Sequence, residues 1–122
     1  MGKKILIVDD ESFFSDPIRL FLEREGFETF VASDGMTGLQ EARKIHPDLI
    51  MLDLMLPKLD GFQVCRLLKF DASFRDTPII IVSAKDSDED RQLAVTSGAT
   101  LYLTKPVVPP ALVETIKKLV AE

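Results

Sequence analysis

The sequence has no tryptophan and only one cysteine, Cys65. A single cysteine cannot form a disulfide within the chain, and cysteine-poor chains are typical of reducing compartments. No apolar run approaches the roughly 20 residues that span a bilayer. The apolar stretch near the amino terminus is too short for a signal peptide and leads directly into acidic residues. We therefore expect a cytoplasmic protein that does not associate with membranes.

The chain also lacks an excess of positive charge. Lys and Arg total 15 against 20 Asp and Glu, which gives a net charge of -5. Nucleic-acid-binding proteins owe much of their affinity to neutralised phosphates, so this balance argues against direct nucleic-acid binding. With 122 residues, 46% of them hydrophobic, the chain is long enough for one domain with one core. We expect residues 1–122 to form that domain.

Short apolar segments alternate with segments of helical periodicity five times along the chain. The segments 5–8, 49–52 and 79–82 are apolar throughout, which is typical of strands that are covered on both faces of a parallel sheet. The segments 28–32 and 100–104 mix polar and apolar residues and are predicted to be edge strands. This alternation predicts an α/β fold, a flavodoxin-like doubly wound (βα)5 architecture with a five-stranded parallel sheet of order 2-1-3-4-5.

Charged and hydroxyl side chains stand where the predicted strands end. In a parallel sheet these ends lie along one edge, so we expect the side chains to meet there. Carboxylates that lie within a few ångströms of one another raise one another's pKa unless a cation binds between them. Oxygen ligands without His or Cys favour Mg²⁺. The residues are Asp9 and Asp10 after the first strand, Asp53 after the third, Ser83 after the fourth and Lys105 after the fifth.

A phosphoryl group would complement the other side chains of this cluster. Lys105 supplies a positive charge, and Ser83 supplies a neutral hydrogen-bond donor. A carboxylate beside Mg²⁺ and a lysine can attack phosphorus as a nucleophile. The sequence therefore predicts the formation of an aspartyl phosphate that depends on Mg²⁺.

The chain resembles, over its whole length, the receiver domains of two-component response regulators. The strand order predicted above is also that family's order, so it is not an independent prediction. The resemblance implies that Asp53 is the phosphoacceptor, and that its donor is a sensor histidine kinase or a phosphotransfer protein. It also implies that Asp10 and Asp53 bind Mg²⁺ or Mn²⁺ directly. Asp9 would then act through water, and Met55 would offer its backbone carbonyl.

The resemblance implies roles for three further residues. Lys105 matches the family lysine, and its bond to Pro106 is expected to be cis. Ser83 fills the family's Ser/Thr position, and Tyr102 matches the switch aromatic that moves inward when this hydroxyl turns toward the phosphoryl group. Phosphorylation is then expected to rearrange the face of the fourth helix, fifth strand and fifth helix, which signals to a partner or output domain. Such a domain catalyses only its own phosphorylation and dephosphorylation, and no output domain is expected within this chain.

The chain departs from the family pattern at several positions. Family members that dimerise as transcription factors often carry acids just before the switch aromatic, where this chain has Thr100 and Leu101. This chain therefore lacks the acids of such dimer contacts at these two positions. Pro17 lies within the predicted first helix and indicates a delayed or kinked start. Phe13 and Phe14 are interpreted either as ordinary packing residues or as a docking patch for the kinase.

Three other functions fit parts of the pattern. A flavin-binding enzyme of this fold would need a Ser-, Thr- or Gly-rich phosphate loop after the first strand, where Asp-Asp-Glu would repel the flavin phosphate. A phosphatase with an aspartyl nucleophile would need a second acid two residues later, where Met55 stands. The third is a degenerate receiver that acts only as an interaction module, against which the intact acids and Lys105 argue. The degenerate receiver is the alternative to the phosphoacceptor function.

Overall fold

The structure, a computed structural model, describes residues 2–121, which form five strands, five α-helices and one 3-10 helix at Ala72–Phe74. None of the helices within these residues is both long and apolar enough to cross a membrane. The strands are β1 (Lys4–Val8), β2 (Glu28–Ala32), β3 (Leu49–Asp53), β4 (Ile79–Ser83) and β5 (Leu101–Thr104). The helices are α1 (Ser12–Arg24), α2 (Gly35–Ile45), α3 (Gly61–Phe70), α4 (Asp88–Thr96) and α5 (Pro109–Val120).

The strands form one parallel sheet in the order β2-β1-β3-β4-β5, which confirms the predicted order. Every residue of β3 and β4 is buried, and so is every residue of β1 after Lys4. The edge strands β2 and β5 are largely only partly buried, as their mixed composition predicts. In the strand register Asp53 pairs with Val82, and Ser83 pairs with Thr104. The carboxyl ends of the central strands therefore lie along one edge of the sheet.

Helices cover both faces of the sheet, and each face has its own apolar core. Leu6 and Ile81 belong to the core beneath α2, α3 and α4. Their chain neighbours Ile5 and Ile80 belong to the core beneath α1 and α5. Successive side chains of a strand point to opposite faces, so a strand covered on both faces is apolar at every residue. Each fully buried Leu or Ile stabilises the fold by roughly 1.5–3 kcal/mol relative to an exposed one.

The start of α1 differs from the expectation based on its proline. The helix begins at Ser12, with Glu11 as its N-cap residue, so Pro17 lies inside it and the predicted delayed start is wrong. The backbone carbonyl of Glu11 accepts hydrogen bonds from the amides of Phe14 and Ser15 at 3.0 Å. The first turn thus closes before the proline, which removes one backbone donor further along the helix. The Glu11 side chain makes no capping bond.

Capping side chains set the starts of three other helices. Asp34, Asp60 and Ser87 accept hydrogen bonds from backbone amides at the starts of α2, α3 and α4. Ser87 caps α4, with its Oγ 3.0 Å from the amide nitrogen of Asp90. Such caps stabilise a helix by about 1 kcal/mol each. The loops that precede α3 and α4 both border the carboxyl edge of the sheet, so these caps also fix the ends of the loops around the site.

Candidate functional site

Three carboxylates lie together where β1 and β3 end. Asp9 and Asp10 follow β1, and Asp53 is the last residue of β3. One carboxylate oxygen of each residue lies within 4.8 Å of the others. Asp9 and Asp53 are only 4% and 5% exposed, whereas Asp10 is exposed. The structure thus brings together the three side chains that were predicted to hold a metal ion.

Lys105, which directly follows β5, also reaches this carboxylate group. Its Nζ lies 3.0 Å from Asp9 Oδ2 and 3.3 Å from Asp53 Oδ2. A third carboxylate, that of Glu11, accepts a hydrogen bond from the same ammonium at 2.7 Å. The Lys105 side chain is only 12% exposed, and its bond to Pro106 is cis, as expected. The ammonium therefore points into the site and is held there by three charge-assisted hydrogen bonds.

Glu11 was not among the predicted site residues. Its position directly after Asp9 and Asp10 was the available signal, since it is a third consecutive acid at the end of a central strand. The amide of Glu11 also donates a hydrogen bond to Asp9 Oδ1 at 2.8 Å. This bond fixes one oxygen of Asp9 while the other faces Lys105. Glu11 therefore contributes to the site through both its backbone and its side chain.

Burial and charge have opposing effects on the ionisation of this cluster. Burial raises the pKa of Asp9 above 3.8, and the hydrogen bonds from the Glu11 amide and from Lys105 only partly offset this. Burial lowers the pKa of Lys105, but its hydrogen bonds to Glu11 and Asp9 and the charge of Asp53 outweigh this effect. The pKa of Lys105 therefore lies above 10.5. The raised pKa of Lys105 indicates that several carboxylates surround one ammonium, whereas that of Asp9 reflects mainly its burial.

A cavity of about 210 Å³ opens beside the carboxylates. The oxygen donors of Asp9, Asp10 and Asp53 fit a hard divalent cation such as Mg²⁺, which prefers carboxylates and water. The cavity leaves space for a small anionic group next to such a cation. Its lining residues are Asp10, Glu11, Asp53, Met55, Ala84 and Lys105.

The loop after β3 is shaped around Asp53. The amide of Met55 donates a hydrogen bond to Asp53 Oδ1 at 3.2 Å, and Met55 lines the cavity. Gly61, at the start of α3, returns the chain to this strand end, and its amide donates to the carbonyl of Leu54 at 3.2 Å. A Cβ atom at Gly61 would lie 2.5 Å from the carbonyl oxygen of Asp53. Only glycine permits this close approach, which closes the loop beneath the carboxylate.

Ser83 and Tyr102 both bind the loop between β4 and α4. Ser83 is fully buried at the end of β4, and its Oγ accepts a hydrogen bond from the amide of Lys85 at 3.2 Å. The hydroxyl of Tyr102, on β5, donates to the carbonyl of Lys85 at 2.7 Å. The two residues predicted to form the switch are therefore linked through the backbone of a single residue, Lys85.

An arginine on α4 covers the ring of Tyr102. The guanidinium carbon of Arg91 lies 5.1 Å from the ring centroid. Its Nη2 lies 2.6 Å from Asp86 Oδ1 and 2.9 Å from Thr104 Oγ1. The hydrogen bond from Arg91 lowers the pKa of Asp86. The sequence offered no signal for this contact, because Arg91 and Thr104 meet only through the packing of α4 against β5.

Comparison with known proteins places these features in a family context. The sequence model of the family described as "Response regulator receiver domain" matches residues 5–117. The alkaline phosphatase synthesis transcriptional regulatory protein PhoP of Bacillus subtilis is 45% identical over 109 residues, which are 89% of this chain and 45% of PhoP. The chain spans about half the length of the curated relatives that it matches. The similarity to these relatives is therefore a similarity to part of each protein.

Solved structures show the same fold. The chemotaxis response regulator CheY4 of Vibrio cholerae has a TM-score of 0.91 at 29% identity, over 98% of this chain and 99% of CheY4. The receiver domain of a sensor histidine kinase from Pseudomonas aeruginosa PAO1 has a TM-score of 0.90 at 27% identity, over 100% of both chains. A magnesium ion is coordinated in the active-site cleft of that receiver domain.

Proposed function

The chain belongs to the response regulator receiver domain family, and we propose that it accepts a phosphoryl group on the carboxylate of Asp53. The observation that carries this proposal is the position of Asp53. Its carboxylate is buried at the end of β3, close to the acids that follow β1, and lies 3.3 Å from the ammonium of Lys105. A carboxylate held in this way is aligned for attack on phosphorus, and positioning is the main requirement for phosphoryl transfer.

The proposed reaction is a substitution at phosphorus. An oxygen of Asp53 attacks the phosphorus of a phosphohistidine, a P–O bond forms, and the P–N bond breaks as the imidazole leaves with the electron pair. Lys105 stabilises the charge on the phosphoryl oxygens, since its ammonium already lies beside Asp53. Ser83 is proposed to donate its hydroxyl hydrogen to a phosphoryl oxygen. The domain would catalyse only this reaction and the hydrolysis of its own acyl phosphate.

The residues proposed to hold Mg²⁺ or Mn²⁺ are those that surround the cavity. Asp10 and Asp53 would bind the cation directly, Asp9 through water, and Met55 with its backbone carbonyl. When bound, the cation supplies positive charge that lowers the repulsion between the carboxylates and the phosphoryl group. Support comes from the proximity of three carboxylates and from the similar receiver domain that carries a magnesium ion in its cleft.

The proposed donor is a sensor histidine kinase or a phosphotransfer protein, and the proposed output surface is the face of α4, β5 and α5. Ser83 and Tyr102 both bind Lys85, so a movement of the Ser83 hydroxyl would reach Tyr102 and α4 through one short loop. A phosphoryl group adds a charge of about -1.5 to -2 at neutral pH, which is a large local perturbation. A downstream output domain or protein would bind the altered face, and the net charge of -5 disfavours direct contact of this domain with nucleic acid.

Intact-mass measurement after incubation with acetyl phosphate and Mg²⁺ tests the proposal. The wild-type protein is expected to gain the mass of one phosphoryl group, and Asp53→Asn is expected to gain none. An equal gain in Asp53→Asn would contradict the assignment of the phosphoacceptor. A degenerate receiver, the alternative that the sequence left open, predicts no mass gain in the wild-type protein and no response of its amide resonances to Mg²⁺.

A further inference from the structure

The ammonium of Lys105 has a fourth neighbour, the aromatic ring of Phe14. Lys105 Nζ lies 4.2 Å from the ring centroid, well within the roughly 6 Å at which a ring face attracts a cation. Phe14 lies near the start of α1 and packs against the apolar core between the sheet, α1 and α5. Because this packing orients the ring, the ring offers the ammonium a fixed apolar contact at the edge of the site.

The four neighbours of the ammonium form two pairs. Asp9 and Asp53 come from the ends of β1 and β3, and both belong to the carboxylate group that fits a metal ion. Glu11 is the N-cap residue of α1 and Phe14 lies in its first turn, and the amide of Phe14 donates to the carbonyl of Glu11 at 3.0 Å. The second pair lies outside the carboxylate group, so its contacts with the ammonium use no atom that the metal ion would need.

The two pairs respond differently to added positive charge. When a divalent cation neutralises Asp9 and Asp53, their attraction for the ammonium weakens, because the same oxygens then face a second positive charge. Phe14 is uncharged, so its attraction for the ammonium does not depend on these carboxylates. A lysine has a long, flexible stem and readily leaves a site in which its partners are neutralised. Glu11 and Phe14 are therefore the two contacts that can keep Lys105 in place, and Phe14 is the uncharged one of the two.

We propose that Phe14 is a positioning residue for Lys105, and that it retains the ammonium at the phosphorylation site while Asp9 and Asp53 are engaged by a cation. The role rests on the proposed function of Asp53. An ammonium already confined beside Asp53 needs less ordering when the phosphoryl group arrives, and such pre-orientation increases the rate of transfer. Phe14 acts only through Lys105 and does not itself contact the phosphoryl group.

Three variants of the full chain test the aromatic face of Phe14 separately from its apolar volume. Phe14→Leu keeps an apolar side chain in the core but removes the aromatic face. Phe14→Tyr keeps the aromatic face and serves as the conservative rescue. Phe13→Leu is the matched control, because Phe13 is the preceding residue, is 78% exposed and lies outside both core clusters. The same substitution is thus made at two adjacent positions, of which only one contacts the lysine.

The first measurement is the NMR signal of the ε-methylene group of Lys105, which is assigned by its absence in Lys105→Arg. A ring face shields a group that lies over it, so we expect an upfield-shifted signal in the wild-type protein, with and without Mg²⁺. Phe14→Leu is expected to move the signal to the ordinary lysine position, whereas Phe14→Tyr and Phe13→Leu retain the shift. An ordinary lysine position in the wild-type protein with Mg²⁺ would overturn the proposal.

The second measurement is the rate of phosphorylation by acetyl phosphate at saturating Mg²⁺. Phe14→Leu is expected to slow the reaction by about three- to tenfold, the range expected from the loss of one partly desolvated cation–π contact. Phe14→Tyr and Phe13→Leu are expected to react at the wild-type rate. Mg²⁺ affinity is expected to be unchanged in all three variants, because none of them alters a carboxylate.

The combined results distinguish this proposal from the function on which it rests. A wild-type protein that gains no phosphoryl group contradicts the function of Asp53. Normal phosphorylation of both the wild-type protein and Phe14→Leu overturns the role of Phe14, even where the lysine signal moves. A slower reaction in Phe14→Leu without a change in the lysine signal also overturns it, since the effect would then not act through Lys105.

Discussion

Lys105 contacts more of the site than any other residue described above. Its ammonium binds the carboxylates of Asp9, Glu11 and Asp53 and lies over the ring of Phe14. Exposed ion pairs contribute little to stability, but this ammonium is nearly enclosed and has several charged partners at once. The pKa of Lys105 therefore depends on the charge of each neighbouring carboxylate, and a change in this pKa shows how much that carboxylate contributes.

Replacement of Glu11 by glutamine is expected to lower the pKa of Lys105, because the hydrogen bond to Glu11 is the largest of the effects that raise it. With a folded-state pKa above 10.5, Lys105 contributes stability that is fully present below pH 10.5 and is lost as the pH rises through the folded-state value. Glu11→Gln should reduce this loss. NMR titration of Lys105 measures the shift.

Glu25→Gln is the matched control for Glu11→Gln. Glu25 pairs with Lys117, and their hydrogen bond raises the pKa of that lysine. The control is therefore expected to lower the pKa of Lys117 and leave that of Lys105 unchanged. A Lys105 pKa that is the same in Glu11→Gln and in the wild-type protein would contradict the geometry of the cluster.

Replacement of Asp9 by asparagine is expected to stabilise the metal-free protein at neutral pH, by about 0.5–2 kcal/mol. The pKa of Asp9 is raised, above all by burial, so the charged form opposes folding. Because the pKa of Asp9 is higher in the folded than in the unfolded protein, the wild-type protein gains stability as the pH falls through the folded-state pKa toward 3.8. Urea unfolding without Mg²⁺ measures both effects, and a less stable Asp9→Asn protein would contradict them.

The elements of the fold determine which residues could be predicted. Asp9, Asp53, Ser83 and Lys105 stand directly at strand ends, and the apolar strands that precede them are evident in the sequence. Parallel pairing then places the four side chains at one edge. Phe14 lies on a helix, and its contact with Lys105 depends on how that helix packs, so its role could not be predicted from spacing.

The start of α1 was predicted wrongly from its proline, because a backbone carbonyl and not a side chain caps this helix. The proline rule predicted a late start for α1, but the carbonyl of Glu11 closes the first turn and leaves Pro17 in the helix interior. The side chain of Glu11 is thereby left free to bind Lys105. Glu11 thus belongs both to the start of α1 and to the site. Helix-capping preferences alone could not predict this, because they do not consider the contact between Glu11 and Lys105.

The contact between α4 and β5 is expected to restrain Tyr102. Arg91 lies over the ring and is held by Asp86 and Thr104. Arg91→Gln removes the guanidinium from the ring, so acrylamide is expected to quench the fluorescence of Tyr102 more strongly. The measurement is direct, because the chain has one tyrosine and no tryptophan.

Arg24→Gln is the control for this prediction. It removes another arginine–aromatic contact, with Phe21 on α1, and should leave the quenching of Tyr102 unchanged. Equal quenching in Arg91→Gln and the wild-type protein would show that Arg91 does not shield the ring.

The whole molecule combines two apolar cores with a site in which the charge of Asp9 opposes folding. The apolar strands and amphipathic helices supply both cores and distinguish the central strands from the edge strands, which the sequence pattern predicts. The full strand order was predicted together with the family resemblance. The negative charge at the carboxyl edge contributes nothing to this packing. Receiver domains of this family bind Mg²⁺ in their acidic site, and a cation that binds the folded protein alone stabilises it.

Mg²⁺ is therefore expected to raise the melting temperature of the wild-type protein in a concentration-dependent way. At 100 times the dissociation constant the gain is about 2.7 kcal/mol. Asp10→Asn is expected to lose most of this response, because Asp10 is exposed and is a proposed direct ligand. The measurement is thermal unfolding at several Mg²⁺ concentrations, with excess chelator as the reversal control. An undiminished response in Asp10→Asn would show that Mg²⁺ binds elsewhere.

The central claim is that the carboxylate of Asp53 becomes an acyl phosphate. Borohydride reduces an aspartyl phosphate to homoserine, so peptide mass spectrometry after phosphorylation and reduction identifies the modified residue directly. The account predicts homoserine at position 53, only in samples that received both the phosphodonor and Mg²⁺. Homoserine at another aspartate, or none at all in a protein that has gained a phosphoryl group, would contradict it.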